Sequence, residues 1–209
     1  GWVPDLPDHR DHIYSAPRHL LGKLPPLVDL RKLCPPVYDQ GELGSCTANA
    51  IGAAIQFNHM KQKQKHFTPS RLFIYYNERV IERSVNSDNG AQIRNGIKTV
   101  NKLGACPETL WPYDDGPKKF IQKPGTVCYS SALKNQVVSY QRLNQTLMQL
   151  KGCLADGYRF VFGFSVYDSV YDDAVTKTGH VPLPGPKEKT EGGHAVMAVG
   201  YDDKNQRFI

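Results

Sequence analysis

The chain has 209 residues, 40% hydrophobic and 10% aromatic, enough to bury a sizeable core and too apolar for a disordered segment. Its formal charge of +6 comes from 26 basic against 20 acidic residues spread along the chain. The one dense patch, Lys61 to Lys65, reads as a solvated helix end and lacks the aromatic interleaving of a nucleic-acid surface, so no nucleic-acid partner is expected. No apolar run approaches the length of a membrane helix, so no membrane partner is expected either. The sequence begins at Gly1, and a signal peptide removed earlier would leave no trace, so the compartment stays open.

Residues 1–27 are punctuated by Pro4, Pro7, Pro17, Pro25 and Pro26, with a charged Asp5 to His12 stretch. Such a segment buries little and should run extended over a surface, either as a loose arm or docked across a cleft. The turn-rich Tyr38 to Ser45, with Gly41 and Gly44, leads into Ala48, Ala50, Ile51, Ala54, Ile55 and Phe57 at helical spacing, which puts Cys46 at a helix N-terminus. There the unpaired N–H groups and the helix dipole favour a thiolate. A small buried cysteine at a loop-to-helix junction is the structural alternative. Thr68-Pro69-Ser70 reads as a second helix start, with Leu72, Phe73, Tyr76 and Val80 on one face. Ser87 to Gly90 reads as a turn, and Ile93, Ile97 and Val100 give a third helix ending at Gly104. Beyond it, Val137–Leu143 and Phe160–Val166 read as strands around a helix at 144–154. Lys177 to Gly193 is expected to be a loop delivering His194 to the head of a strand, His194 to Tyr201; Asp202 to Asn205 then turns and Arg207 to Ile209 returns.

Gln40-Gly41-x-x-Gly44-Ser45-Cys46 and, far downstream, Gly193-His194-Ala195-Val196-x-Ala198-Val199-Gly200-Tyr201 resemble the nucleophile and histidine motifs of papain-like cysteine proteases. Val28-Asp29-Leu30-Arg31 resembles the start of the family's mature domains, and Trp111-Pro112-Tyr113 its crossing between lobes. The resemblance implies an α+β, papain-like two-lobed fold: a leader over 1–27, a helical lobe over 28–113 carrying the nucleophile, and an antiparallel β lobe over 114–209 carrying the histidine, with the cleft between. It further implies a thiol-dependent endopeptidase without metal or cofactor. Cys46 would be nucleophile, His194 general acid/base, and Gln40 an oxyanion donor with the Cys46 N–H. The partners implied are a peptide or protein substrate and the chain's own leader, lying in the cleft as a short propeptide of a monomeric, latent enzyme. An extended substrate would lie along Asn89-Gly90, where glycine lets a backbone approach, and Ile93 and Ala195 would line an apolar pocket, with Gly163 a candidate for its border.

The family orients its histidine with the asparagine of an Asn-Ser-Trp-Gly motif, which this sequence does not contain up to Ile209. That asparagine and the last strands of the second lobe are therefore expected beyond residue 209. Asn205 falls too early in its turn for the role. The family's cysteine three residues before the nucleophile is Leu43, and its disulfide partner aligns with Asp88, so both are absent together. Cys34, Cys106, Cys128 and Cys153 are expected to be reduced. Thr47 stands where an aromatic usually follows the nucleophile, as in bacterial branches of the family. The competing readings are an inactive or latent papain-fold binding module, favoured by the missing asparagine, and an unrelated Cys-His acyl-transfer fold, disfavoured by motif order and Gln40.

Overall fold

The computed structural model describes all 209 residues. The prolines confine residues 1–29 to short pieces: strands β1 (Trp2–Val3) and β2 (Ile13–Tyr14), one helical turn α1 (Arg18–Leu21), and strand β3 (Leu27–Asp29). Helix α2 (Cys46–Lys61) is buried on nearly every side from Cys46 to Phe57, because Ala48, Ala50, Gly52 and Ala54 let neighbouring elements close in around it. Helix α3 (Arg71–Glu82) starts where the Ser70 hydroxyl accepts the Phe73 N–H at 3.2 Å and stops at Arg83, whose φ of 57° is left-handed. Strand β4 (Ala91–Gln92) and helix α4 (Ile93–Lys102) follow, with Gly104 at φ 77° turning the chain away. Ile51, Ile55, Ile74, Tyr75, Ala91 and Val100 form the main core between α2, α3 and α4.

The buried face of α3 differs from the expected one: Val80 is 48% exposed, while Tyr75, Glu78 and Arg79 turn inward. Arg79 is tolerated there because its guanidinium donates to the Tyr75, Val85 and Phe120 carbonyls and stacks on the Tyr75 ring, 3.9 Å from its centroid. The reversal after α3 closes through Ser87 N–H to Ser84 O (2.9 Å), earlier than the expected Ser87–Gly90 turn.

Helix α5 (Thr126–Ala132), not anticipated from the sequence, lays Cys128 and Ala132 against Phe73 and Cys106. Strand β5 (Arg142–Leu143) is all that forms of the expected Val137–Leu143 strand, since no neighbour pairs with the rest and Val138 is 94% exposed. Helix α6 (Leu147–Ala155) begins three residues later than expected, where Thr146 accepts the Gln149 N–H. Strand β6 (Phe160–Tyr167) precedes helix α7 (Asp173–Thr178), strand β7 (Thr190–Ala198), strand β8 (Gly200–Asp202) and strand β9 (Arg207–Phe208). The expected Lys177–Gly193 loop is thus shorter at both ends, and His194 sits inside β7 rather than at its head. The expected His194–Tyr201 strand is interrupted at Val199, which donates to Ile209 O (2.7 Å) and accepts from Leu30 N (2.8 Å) as the chain changes partners from β6 to the β3-β8-β9 sheet.

The first 29 residues are docked, not loose. β1 pairs in parallel with β4, β2 in parallel with β5, and β3 antiparallel with β8. Tyr14 OH donates to Asp156 (2.8 Å), and Ala16 and Leu21 lie so close over α6 that a Cβ at Gly152 would collide with them. No helix is long and apolar enough to cross a membrane.

Candidate active site

Cys46 is the first residue of α2 and has no solvent exposure. Ser45 stands at the N-cap, but its hydroxyl is turned to Tyr113 (2.6 Å) and accepts none of the first-turn N–H groups of the helix. Those donors are left free to act on an anion at the helix end. The loop before it is held without the disulfide of the wider family. Asp88, at the position of the missing cysteine, accepts the Gly44 N–H with both carboxylate oxygens (3.0 Å each) and a hydrogen bond from Tyr75 OH. Gly41, at φ 55°, is packed so tightly on Asp115 that a Cβ would collide with its carboxylate, which accepts the Glu42 N–H at 3.2 Å.

Strand β7 brings the second group. The Ala195 N–H donates to Cys46 Sγ at 3.3 Å, which lays the backbone beside His194 directly against the sulfur. His194 is half-buried, with Phe164 edge-on to its ring at 6.0 Å between centroids. Burial, followed by the nearby Gly1 ammonium, pushes its pKa below the usual histidine value. Gln40 and His194 line one cleft of about 360 Å³ together with Leu43, Gly44, Val166, Tyr171 and Gly193. The Gln40 side-chain amide donates to Leu43 O (2.9 Å), which leaves its second N–H hydrogen available.

Gly90, Ile93 and Ala195, the expected substrate-binding residues, are not among those that line this cleft. Gly90 has φ 74°, and a Cβ there would collide with the Gly1 carbonyl; Ala195 is buried and Ile93 partly so. Asn89 is exposed. The Ala91 N–H donates to Gly1 O (2.9 Å), the Gly1 ammonium donates to Gly193 O (2.9 Å), and the Trp2 indole lies against Gly163 and Gly193 at distances that leave no room for a Cβ at either. Asn205, set aside as a histidine partner, spends its amide on Asp202 (2.6 Å). The structure gathers no group of three or more His, Cys, Asp or Glu side chains that could hold a metal ion.

The profile of the Papain family cysteine proteases matches residues 24–208. The chain belongs to that family. Xylellain, a cysteine protease from Xylella fastidiosa, is 48% identical, with a TM-score of 0.91 over 100% of this chain and 81% of that one. An uncharacterised peptidase C1-like protein of Acanthamoeba polyphaga mimivirus is 42% identical over 234 residues, covering all of this chain and 75% of its own. Procathepsin B from Trypanosoma congolense, at 16% identity, shares the fold with a TM-score of 0.71 over 100% of this chain and 72% of that one. The papain-like α+β architecture is therefore established, as is membership of a cysteine peptidase family.

What sequence reasoning missed is the support behind the cleft: Asp88 and Asp115 on the loop, the Tyr113 hydroxyl, and the Trp2 indole. Tyr113 was legible only as part of Trp-Pro-Tyr. Its role depends on contacts 73 and 68 residues away, with Gln40 and Ser45.

Proposed function

We propose that the protein is a thiol-dependent endopeptidase of the papain family in which Cys46 is the nucleophile, His194 the general acid/base, and Gln40 Nε2 with the Cys46 N–H the oxyanion donors. The observation that carries this reading is the Ala195 N–H on Cys46 Sγ, with Gln40 and His194 lining the same cleft. In the reaction the Cys46 thiolate attacks the substrate carbonyl carbon, and the carbonyl oxygen becomes an oxyanion between the two donors. The imidazolium of His194 gives its proton to the departing amine as the C–N bond breaks. Neutral His194 then takes a proton from water, the hydroxide attacks the thioester, and collapse returns the acid product and the thiolate.

In this reading residues 28–113 and 114–209 are the two lobes, and residues 1–27 hold the enzyme latent. Three features support latency. β1 pairs with β4, so the leader takes up the strand edge beside Gly90 along which an extended substrate would lie. Trp2 occupies the space over Gly163 and Gly193. Asp11 forms an ion pair with Arg94, largely out of solvent, and a more exposed one with Arg142 (3.2 Å), which fasten the segment to α4 and β5. Burial within the covered cleft also opposes a charged His194.

Incubation with an epoxide thiol-protease inhibitor, followed by mass mapping, tests the assignment. The adduct is expected on Cys46 alone, whereas absence of labelling after removal of the leader would overturn it in favour of an inactive binding module.

A further inference from the structure

The two proposed oxyanion donors come from different elements. Gln40 lies on a loop and the Cys46 N–H on the first turn of α2, and a donor pair is useful only if its spacing is held to a fraction of an ångström. One hydroxyl spans them: Tyr113 OH donates to Gln40 O at 2.7 Å and lies 2.6 Å from Ser45 Oγ. Since the single phenol proton goes to the Gln40 carbonyl, Ser45 Oγ–H is the donor in the second contact. Asn49 Nδ2 donates in turn to Ser45 Oγ (3.0 Å) and Ser45 O (2.9 Å), and Arg71 Nη1 donates to Asn49 Oδ1 (3.0 Å). The same Arg71 Nη1 also donates to Asp39 O (2.7 Å), the residue before Gln40.

The result is a directed series of donors, Arg71 to Asn49 to Ser45 to Tyr113 to Gln40, in which each member uses the acceptor of the next. Its cationic end is fixed: Arg71 is held by Glu108 at 2.9 and 2.8 Å and stacks on the Tyr113 ring, 3.8 Å from its centroid. Burial raises the Tyr113 pKa above the usual tyrosine value, so the phenol stays a donor across the working pH range. Ser45, drawn into this series, does not cap α2, which is why the helix donors beside the nucleophile remain open.

On the thiol-peptidase reading above, we propose that Tyr113 is a positioning residue for the oxyanion hole, its hydroxyl setting the distance between the Gln40 loop and the N-terminus of the nucleophile helix. It touches no substrate atom. Its effect is transmitted through the Gln40 carbonyl and Ser45, so its loss should weaken stabilisation of the tetrahedral intermediate and leave the thiolate and substrate binding intact.

The test is Tyr113→Phe in the full chain, parent and variant both assayed after proteolytic release of the leader; the substitution keeps the ring and its stacking on Arg71. A fall in kcat of about 10- to 100-fold with KM within about twofold is expected. The rate and pH profile of Cys46 alkylation by iodoacetamide, a reaction that needs the thiolate but forms no oxyanion, should match those of the parent. Tyr113→Phe added to Gln40→Ala should cost little beyond Gln40→Ala alone, because both act through one donor. An unchanged kcat, a full additional loss in the double variant, or a parallel fall in alkylation rate would each overturn the role assigned to Tyr113. Absence of thiol-dependent turnover in the parent protein after release of the leader would overturn the underlying peptidase reading instead.

Discussion

Glu78 offers a quantitative check on the packing behind Cys46. Its carboxyl is fully buried on α3. Oε1 accepts the Thr47 hydroxyl at 2.6 Å, and Oε2 has no partner, enclosed by Ile51 and by Gly96, at which a Cβ would crowd it. The neighbouring Arg79 spends its donors on backbone carbonyls, and Glu82 accepts from Gln92 N and Asn95. Desolvation therefore dominates and raises the Glu78 pKa to about 8, against the lowering effect of the Thr47 hydrogen bond. Because the folded-state pKa lies above the unfolded one, the unfolded chain releases this proton first. The stability present below about pH 4.5 is lost as pH rises towards 8. At about 1.4 kcal/mol per pH unit, the loss over that window is roughly 5 kcal/mol. Glu78→Gln removes the titration but buries an amide with unmet donors, at a cost of about 1–3 kcal/mol. The variant should thus be less stable than the parent near pH 5 and more stable near pH 8, the two curves crossing between. Urea unfolding at fixed m-value across pH 5 to 8.5 measures this difference, in which all other titrating groups cancel. Parallel curves would show that Glu78 ionises normally and that the account of its burial is wrong.

Cys46→Ser should abolish peptide hydrolysis with little change in thermal midpoint, since a hydroxyl is not ionised at neutral pH; residual turnover in purified variant protein would remove the nucleophile assignment. Gln40→Ala is expected to lower kcat about 10²-fold with a smaller change in KM, as a donor acting in the transition state should. A protein beginning near Val28 should turn over a fluorogenic peptide faster than one carrying residues 1–27, and equal rates would make that segment a packing element only. Arg94→Ala, which strips Asp11 of its main ion-pair partner, should raise the rate of the leader-bearing protein and leave the trimmed one unchanged. Arg94 and Arg142 hold the Asp11 pKa below the usual carboxylate value, so this fastening is in place above the ordinary carboxylate range and is lost as pH falls below it, through the lowered value. Low pH should therefore favour release.

The helix headed by Cys46, the strand carrying His194 and their order were legible in the sequence because they are written in contiguous motifs: glycines ahead of Cys46, small residues through α2, and an apolar run after His194. Local signals also located α3 and α4, whose starts and stops are set by Ser70 and Gly104. Reading failed where a segment's structure depends on a partner far along the chain. Val137 to Leu143 has strand composition but finds only Ile13 and Tyr14 to pair with, and α5 is stabilised by Phe73 and Cys106, far back along the chain. At Val199 an uninterrupted apolar run is broken because its N–H and C=O are claimed by Ile209 and Leu30. The same holds at the cleft. Asp88 as a substitute for a disulfide, Trp2 over Gly163, Tyr113 between Gln40 and Ser45, and Thr47 on Glu78 are all contacts between residues distant in sequence. The buried ones, such as Thr47 on Glu78, gain strength from exclusion of water, and only the packed tertiary structure decides which groups come together.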